Sequence, residues 1–273
     1  MLLSAKWHAL GGEAELAAGQ IASGITALGR ASHANKAHYT QAFFGLSIGL
    51  ERLAKLIILA DHSIGNSGHF PANTDLKKVG HDIDTILNVC QTISTKYKLD
   101  TKYATRPNDP IHCGIVTTLA EFARWTRYYN LDLITSGMAT QLSEPVGAWW
   151  RRVGKPILSL HYPVHQQEID ASRSRAMAAA MHCATFVLHH TEEGDPIDDV
   201  EVLMMHNSAT RVIQRYGRLY TLQIVRWMSL LISELSHVGA YVKRIEPLLG
   251  LDERFAMFIN NDKYLRDRKT WSI

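Results

Sequence analysis

The chain has 273 residues and a formal net charge of +3 at pH 7, with 46% apolar and 20% charged residues. This composition excludes a disordered chain, because the apolar content is sufficient for a sizeable core. The length allows one large domain or two packed subdomains, and the small net charge does not by itself indicate a nucleic-acid partner.

The apolar pattern predicts helices from the start of the chain. Residues 4–29 predict one or two short helices interrupted by glycines. Apolar residues at helical spacing from Phe43 to Leu59 predict a largely buried helix that ends between Asp61 and Gly68. A second helix follows, with Thr74 or Asp75 as its cap and an apolar face running to Ile93. Together these elements predict a helical hairpin.

The second half of the chain also shows helical periodicity. Asp109 and Pro110 are expected to start a helix through about residue 135, closed by Gly137. Residues 141–167 form a predicted connector with a short helix at 149–152. Further helices are predicted at 168–190, at 200–242 either as one element kinked near Gly217 or as two, and at 252–259. No segment alternates with a period of two, so the predicted fold class is all-α. We place a subdomain boundary between residues 142 and 143.

The cysteines and the hydropathy pattern predict the compartment. Cys90, Cys113 and Cys183 are few, odd in number and far apart, which fits a reducing environment without a disulfide framework. The first residues lack the pattern of a signal peptide, and no stretch approaches the roughly 20 apolar residues that cross a bilayer. We therefore expect a cytoplasmic protein without membrane contact.

The predicted hairpin resembles the HEPN family of small helical domains found widely in prokaryotes. The family carries a long helix with a Leu-x-Lys-x-Leu-Ile type of run, then a loop and a helix start containing a His-Asp pair. The resemblance covers about residues 40–135, and the matching residues are Leu53, Lys55, Leu56, Ile57, His81, Asp82, Ile83, Ile86 and Leu87. It implies a HEPN-like bundle over residues 1–142, extended by a second set of long helices over 143–273.

Active HEPN proteins cleave RNA without metal through an arginine and a histidine four to six residues apart, and Arg106 and His112 match that motif. The resemblance implies that His112 transfers a proton, that Arg106 holds the scissile phosphate, and that Asn108 positions the 2′-hydroxyl or the phosphate. Pro107 and Pro110 depart from the helical continuity of the family. The alternative is that Arg106 is an exposed loop cation and His112 a partly buried residue of a first helical turn.

A basic and aromatic run follows the motif. Arg124, Arg127 and Tyr128 form a candidate RNA-binding set, because aromatic rings stack on bases while arginines bind phosphates. The alternative is a helix–helix or dimer surface dominated by Trp125 and Tyr129. His81 and Asp82 are expected to have a structural role, with Asp82 stabilising a helix N-terminus.

The histidines do not predict a metal site. His161 and His165 are four residues apart, but Pro163 lies between them and prevents the regular helix that would present both on one face. His182, His189 and His190 lack the accompanying pattern of a zinc enzyme, and no phosphate-binding glycine motif is present. We therefore expect neither a metal nor a cofactor.

Two functions remain open. The resemblance implies a protein that acts on RNA, as a metal-independent endoribonuclease in prokaryotic defence or a toxin–antitoxin system. It would be a homodimer, with an antitoxin or another protein as a partner. The alternative is a non-catalytic helical module for dimerisation or partner binding. Nucleotide binding without hydrolysis is a weaker third possibility.

Overall fold

The computed structural model describes residues 3–97, 99, 101–136, 143–181 and 189–272. Its helices are α1 Ala5–Leu28, α2 Ala37–Gly65, α3 Asn73–Lys78, α4 Ile83–Lys96, α5 Pro110–Arg124, α6 Tyr129–Ser136, α7 Pro145–Trp149, α8 Lys155–His161, α9 Val164–Ala180, α10 Val200–His237 and α11 Asp262–Asp267. Two short strands, β1 His189–His190 and β2 Pro196–Ile197, pair antiparallel, with His189 opposite Ile197. The predicted all-α class is confirmed.

Helices α1 and α2 pack closely because glycines line their contact. A Cβ on Gly45 would lie 2.8 Å from the Gln20 carbonyl oxygen, and a Cβ on Gly24 would lie 2.9 Å from the Leu46 backbone nitrogen. Both separations are shorter than van der Waals contact, so only glycine permits this approach. Loop residues 29–36 connect the two helices, and their position is therefore set by this packing.

Helix α10 is the longest element and reaches both halves of the chain. Asp199 caps its start by accepting from the backbone N–H groups of Glu201 and Val202. Its buried face, which includes Trp227, Leu231 and Leu235, packs against α1, α2 and α5 as well as α8 and α9. The segments on either side of residue 142 thus contribute to one apolar core, and the boundary proposed there stays a prediction.

Several helix ends lie where the sequence predicts them. Helix α2 ends at Gly65, inside the predicted interval, and α4 packs on it to complete the hairpin. Asp109 accepts from the first backbone N–H groups of α5, and Pro110 is its first residue. Asp82 accepts from Thr85 N and caps α4, in keeping with the predicted structural role.

Other boundaries differ for local physical reasons. The segment predicted as one or two short helices forms one helix, α1. Gly24 packs closely on α2, and the Cβ positions of Gly11 and Gly12 face open space. The element predicted to begin near Thr74 is divided into α3 and α4 because Gly80 adopts a φ of +77°. The expected helix through residue 135 is interrupted at Trp125.

Larger differences occur after residue 143. The predicted connector is mostly helical. Pro145 is the first residue of α7, where proline lacks no needed hydrogen bond, and a π-helical turn at Trp150–Gly154 joins α7 to α8. Helix α9 ends at Ala180, so the prediction of a helix to His190 was wrong. A hairpin with Gly194 at a φ of +96° contains His189 and His190 instead. Gly137 and His182 lie outside the described residues. No described helix is long and apolar enough to cross a membrane.

Candidate functional site

Arg106 lies in the loop before α5, and its side chain is directed at α4. Its guanidinium donates to Asn88 Oδ1 at 2.5 Å and to Asp84 Oδ1 at 3.0 Å, and only 16% of the side chain is exposed. Asp84 and Asn88 are one turn apart on α4, so both partners come from the same helix face. Arg106 therefore ties the segment before α5 to α4, and Asn108 stays exposed beside it.

His112 lies in the first turn of α5, and its ring is directed at α10. Its Nε2 lies 2.9 Å from Gln223 Oε1, and its Nδ1 lies 2.9 Å from Asp109 Oδ2, outside hydrogen-bonding alignment. The ring meets Tyr220 edge to face, and the residue is 4% exposed. Arg106 and His112 thus have separate partners on α4 and α10. Cleavage by this pair stays a prediction.

Burial of His112 predicts an acid-dependent loss of stability. The pKa of His112 is lowered mainly by burial and also by Arg226, against the opposing effects of Asp109 and Gln223. Because the unfolded state then takes up a proton more readily, the free energy of unfolding should fall as the pH drops below about 6.5. Urea titrations at several pH values should show that the free energy of unfolding depends less on pH in His112→Gln than in the wild type. An equal dependence in both proteins would contradict this assignment.

The candidate RNA-binding residues Arg124, Arg127 and Tyr128 are exposed, but both arginines already have partners within the chain. Arg124 pairs with Asp82 at 2.9 Å, and the Arg127 guanidinium donates to the Ala123 carbonyl oxygen and lies over the Phe44 ring. Tyr128 is 60% exposed. Of the two arginines only Arg124 has a carboxylate partner in the described part of the chain, and the role of this surface in RNA binding stays a prediction.

A stronger concentration of positive charge lies along α10. Arg211, Arg215 and Arg218 occupy positions i, i+4 and i+7, which places them on one face of the helix. They line a depression of about 630 Å³ between α10, the end of α1 and the C-terminal segment. The same depression is lined by Gly29, Arg30, Gln214, Arg266, Asp267, Lys269 and Thr270.

Arg218 is the unusual member of this group because it is buried. The residue is 5% exposed, its guanidinium donates to the Arg266 carbonyl oxygen at 3.2 Å, and its Nε has no partner. A Cβ on Gly29 would contact this guanidinium too closely, so the Arg218 side chain would have to shift where it passes α1. Burial, followed by the neighbouring Arg215, lowers the pKa of Arg218, but arginine still remains charged at neutral pH.

The depression continues along α10 as a groove. A second depression of about 490 Å³ shares Arg211 and Arg215 with the first, and a third of about 550 Å³ shares Arg173 and Arg211 with the second. We call the three together the α10 groove. From Met204 to Arg218 it follows about 21 Å of helix. The paired rings of His161 and Tyr216 stack at 3.7 Å within its central part.

The groove has more cations than carboxylates to neutralise them. Asp267 pairs with Arg215 at 2.7 Å and with Arg266 at 3.0 Å, and Asp170 lies 3.8 Å from Arg173. Within the described ranges, no ion pair to a carboxylate involves the other four groove cations, which are Arg30, Arg211, Arg218 and Lys269. This excess charge makes the groove a candidate site for a phosphate-rich ligand.

His161 and His165 do not come together as a metal site. His161 Nε2 lies 2.9 Å from the Tyr220 hydroxyl, and His165 is exposed on α9. A different set, His33, Glu192 and His206, brings potential ligand atoms within 4.8 Å of one another. Its members come from three separate segments, so residue spacing could not reveal it. The i, i+4, i+7 spacing on α10 is the signal that could have located the groove.

Comparison with protein-family models, with curated proteins and with solved structures returns no match. The resemblance to HEPN domains therefore depends on the sequence residues quoted for it.

Proposed function

We propose that this protein binds RNA through the α10 groove. The observation that carries the proposal is Arg218, a buried arginine with an unpartnered Nε and no carboxylate partner, at a depression with further cations. Burying an uncompensated charge costs stability, and a bound phosphate offsets that cost through charge-assisted hydrogen bonds. The arrangement is thus suited to an anionic ligand.

The length of the groove favours a linear polyanion over a single phosphate. Three adjoining depressions extend the groove along about 21 Å of helix, which is sufficient for several nucleotides, and the α10 arginines occupy the part of it from Arg211 to Arg218. The exposed cations Arg30, Arg211 and Lys269 would neutralise backbone phosphates, a contact that is independent of sequence. Among nucleic acids, the resemblance to HEPN domains supports RNA.

Arg211 provides the direct test. It is exposed and donates to Ser208 Oγ, so its replacement should not disturb the core. We expect Arg211→Ala to weaken binding of a short fluorescein-labelled single-stranded RNA about five- to tenfold, because one phosphate contact is lost. Fluorescence anisotropy at fixed salt measures the affinity. A DNA strand of the same sequence shows whether the sugar is recognised.

Arg254→Ala is the matched control. Arg254 is also exposed and pairs with Glu15, outside the groove, so its replacement should leave the affinity within twofold. Absence of RNA binding, or equal losses in the two variants, would contradict the proposal.

The HEPN resemblance alone supports four further proposals. They are RNA cleavage, homodimer formation, an antitoxin partner and a role in defence. If Arg106 and His112 are catalytic, Arg106→Ala and His112→Ala should each abolish cleavage of a labelled RNA. RNA binding at the α10 groove does not require that activity.

A further inference from the structure

His33, Glu192 and His206 form a buried cluster near the start of α10. His33 lies in the loop between α1 and α2, Glu192 lies in the turn after β1, and His206 lies on α10. Glu192 Oε2 lies 2.6 Å from His206 Nε2, and the Glu192 side chain is fully buried. The Tyr39 hydroxyl donates to Glu192 Oε1 at 3.2 Å. A carboxylate in this position requires a nearby positive charge.

A second observation comes from His33. The residue is 7% exposed, and its Nδ1 is buried without a hydrogen-bond partner. Its ring meets the His206 ring edge to face at 5.0 Å, so both imidazoles lie beside the same carboxylate. A buried polar atom left without a partner is costly, and a bound ligand removes that cost.

We propose that His33, Glu192 and His206 bind one divalent transition-metal ion, of which Zn²⁺ fits the ligands best. Two imidazoles and one carboxylate are a known ligand set for zinc. Tetrahedral Zn²⁺ with bonds of about 2.0–2.1 Å separates its ligand atoms by about 3.3 Å. The ligand atoms here lie within 4.8 Å of one another, so a small adjustment of the side chains accommodates the ion.

The surroundings of the cluster support the same assignment. Tyr39 orients the carboxylate through its hydroxyl, and the Trp150 ring stacks on His206 at 4.9 Å. Supporting contacts of this kind fix the orientation of metal ligands. His189 is exposed, and its ring lies 5.5 Å from that of His33. On this side the fourth position would be filled by His189 or water.

The site would join three segments that are distant in sequence. It links the α1–α2 loop, the hairpin and α10, so the ion would stabilise their arrangement. Gln214, which lines the α10 groove, donates to the Ala31 carbonyl oxygen in the same loop. Metal binding is nevertheless independent of the proposed RNA binding, and its test does not use RNA.

The test uses Zn²⁺ itself and the full chain, stripped beforehand with a chelator. A zinc titration in competition with a chromophoric chelator should show that each chain binds one zinc ion tightly. Zinc at about 100 times its dissociation constant should raise the melting temperature by about 5 °C. Bound Co²⁺ should show the visible absorption of a four-coordinate site with nitrogen and oxygen ligands.

Two variants and a control distinguish this site from adventitious binding. Glu192→Gln keeps the side-chain volume but removes the charge, and His33→Ala leaves the Glu192–His206 contact in place. Each should lower zinc affinity by more than the roughly 10–100-fold typical of lost supporting contacts. His190→Ala removes an exposed neighbouring histidine and should bind zinc normally.

Circular dichroism checks that each variant is folded. If Glu192→Gln does not fold, His33→Ala alone tests the proposal. The proposal would be overturned by absence of stoichiometric zinc binding in the wild type. It would also be overturned by unchanged affinity in a folded His33→Ala or Glu192→Gln protein.

Discussion

Replacing Arg218 by methionine is expected to stabilise the fold while weakening RNA binding. Methionine fills a similar volume and carries no charge, so the cost of burying an uncompensated guanidinium disappears. The lost hydrogen bond to the Arg266 carbonyl oxygen offsets part of this gain. We expect a net increase of about 1–2 kcal/mol in the free energy of unfolding, measured by urea titration.

The same substitution should lower RNA affinity about 30- to 100-fold, which corresponds to about 2–3 kcal/mol. A buried arginine is less shielded by solvent than an exposed one, so its contact with phosphate is stronger than that of Arg211. Opposite changes in stability and affinity are typical of a residue kept for binding. If Arg218→Met destabilises the protein and binds RNA normally, Arg218 has a structural role only.

Replacing Gly45 by valine is expected to cause the largest loss of stability. Its Cβ would lie 2.8 Å from the Gln20 carbonyl oxygen and 3.0 Å from the Gly24 Cα, and neither backbone atom can move independently of its helix. Helices α1 and α2 would have to separate, which we expect to cost about 3 kcal/mol or more. Thermal and urea unfolding measure this loss.

Gly12→Ala in α1 is the matched control for this prediction. No atom lies within 4 Å of its Cβ position, so the substitution should stabilise the helix by up to about 1 kcal/mol. Gly45→Val should also reduce RNA binding, because the loop carrying Arg30 follows α1. A Gly45→Val protein as stable as the wild type would show that the close helix contact is absent.

Local features of the fold could be predicted from the sequence because local chemistry determines them. The Asp109–Pro110 pair specifies the start of α5, and the breakers after Asp61 specify the end of α2. The break at Gly80 was missed because the apolar period continues across it, whereas a positive φ divides the element. The hairpin before α10 was missed because its two-residue strands are too short to show alternation.

The candidate sites could be predicted much less well, because they depend on contacts between distant residues. His33, Glu192 and His206 meet only after α1, α2 and α10 have packed, and no spacing rule joins them. The i, i+4, i+7 spacing of the α10 arginines can be read from the sequence, but the burial of Arg218 depends on its contacts with the end of α1 and with the C-terminal segment. Sequence reasoning found the motif of Arg106 and His112, whereas their separate partners appear only in the fold.

The salt dependence of RNA binding tests the α10 groove most directly. Each phosphate neutralised on a single strand contributes about −0.7 to the slope of the logarithm of the association constant against the logarithm of salt concentration. Four groove cations without carboxylate partners predict a slope of about −3 for the wild type and about −2 for Arg211→Ala. A slope near zero, or the same slope in both proteins, would contradict RNA binding at this groove.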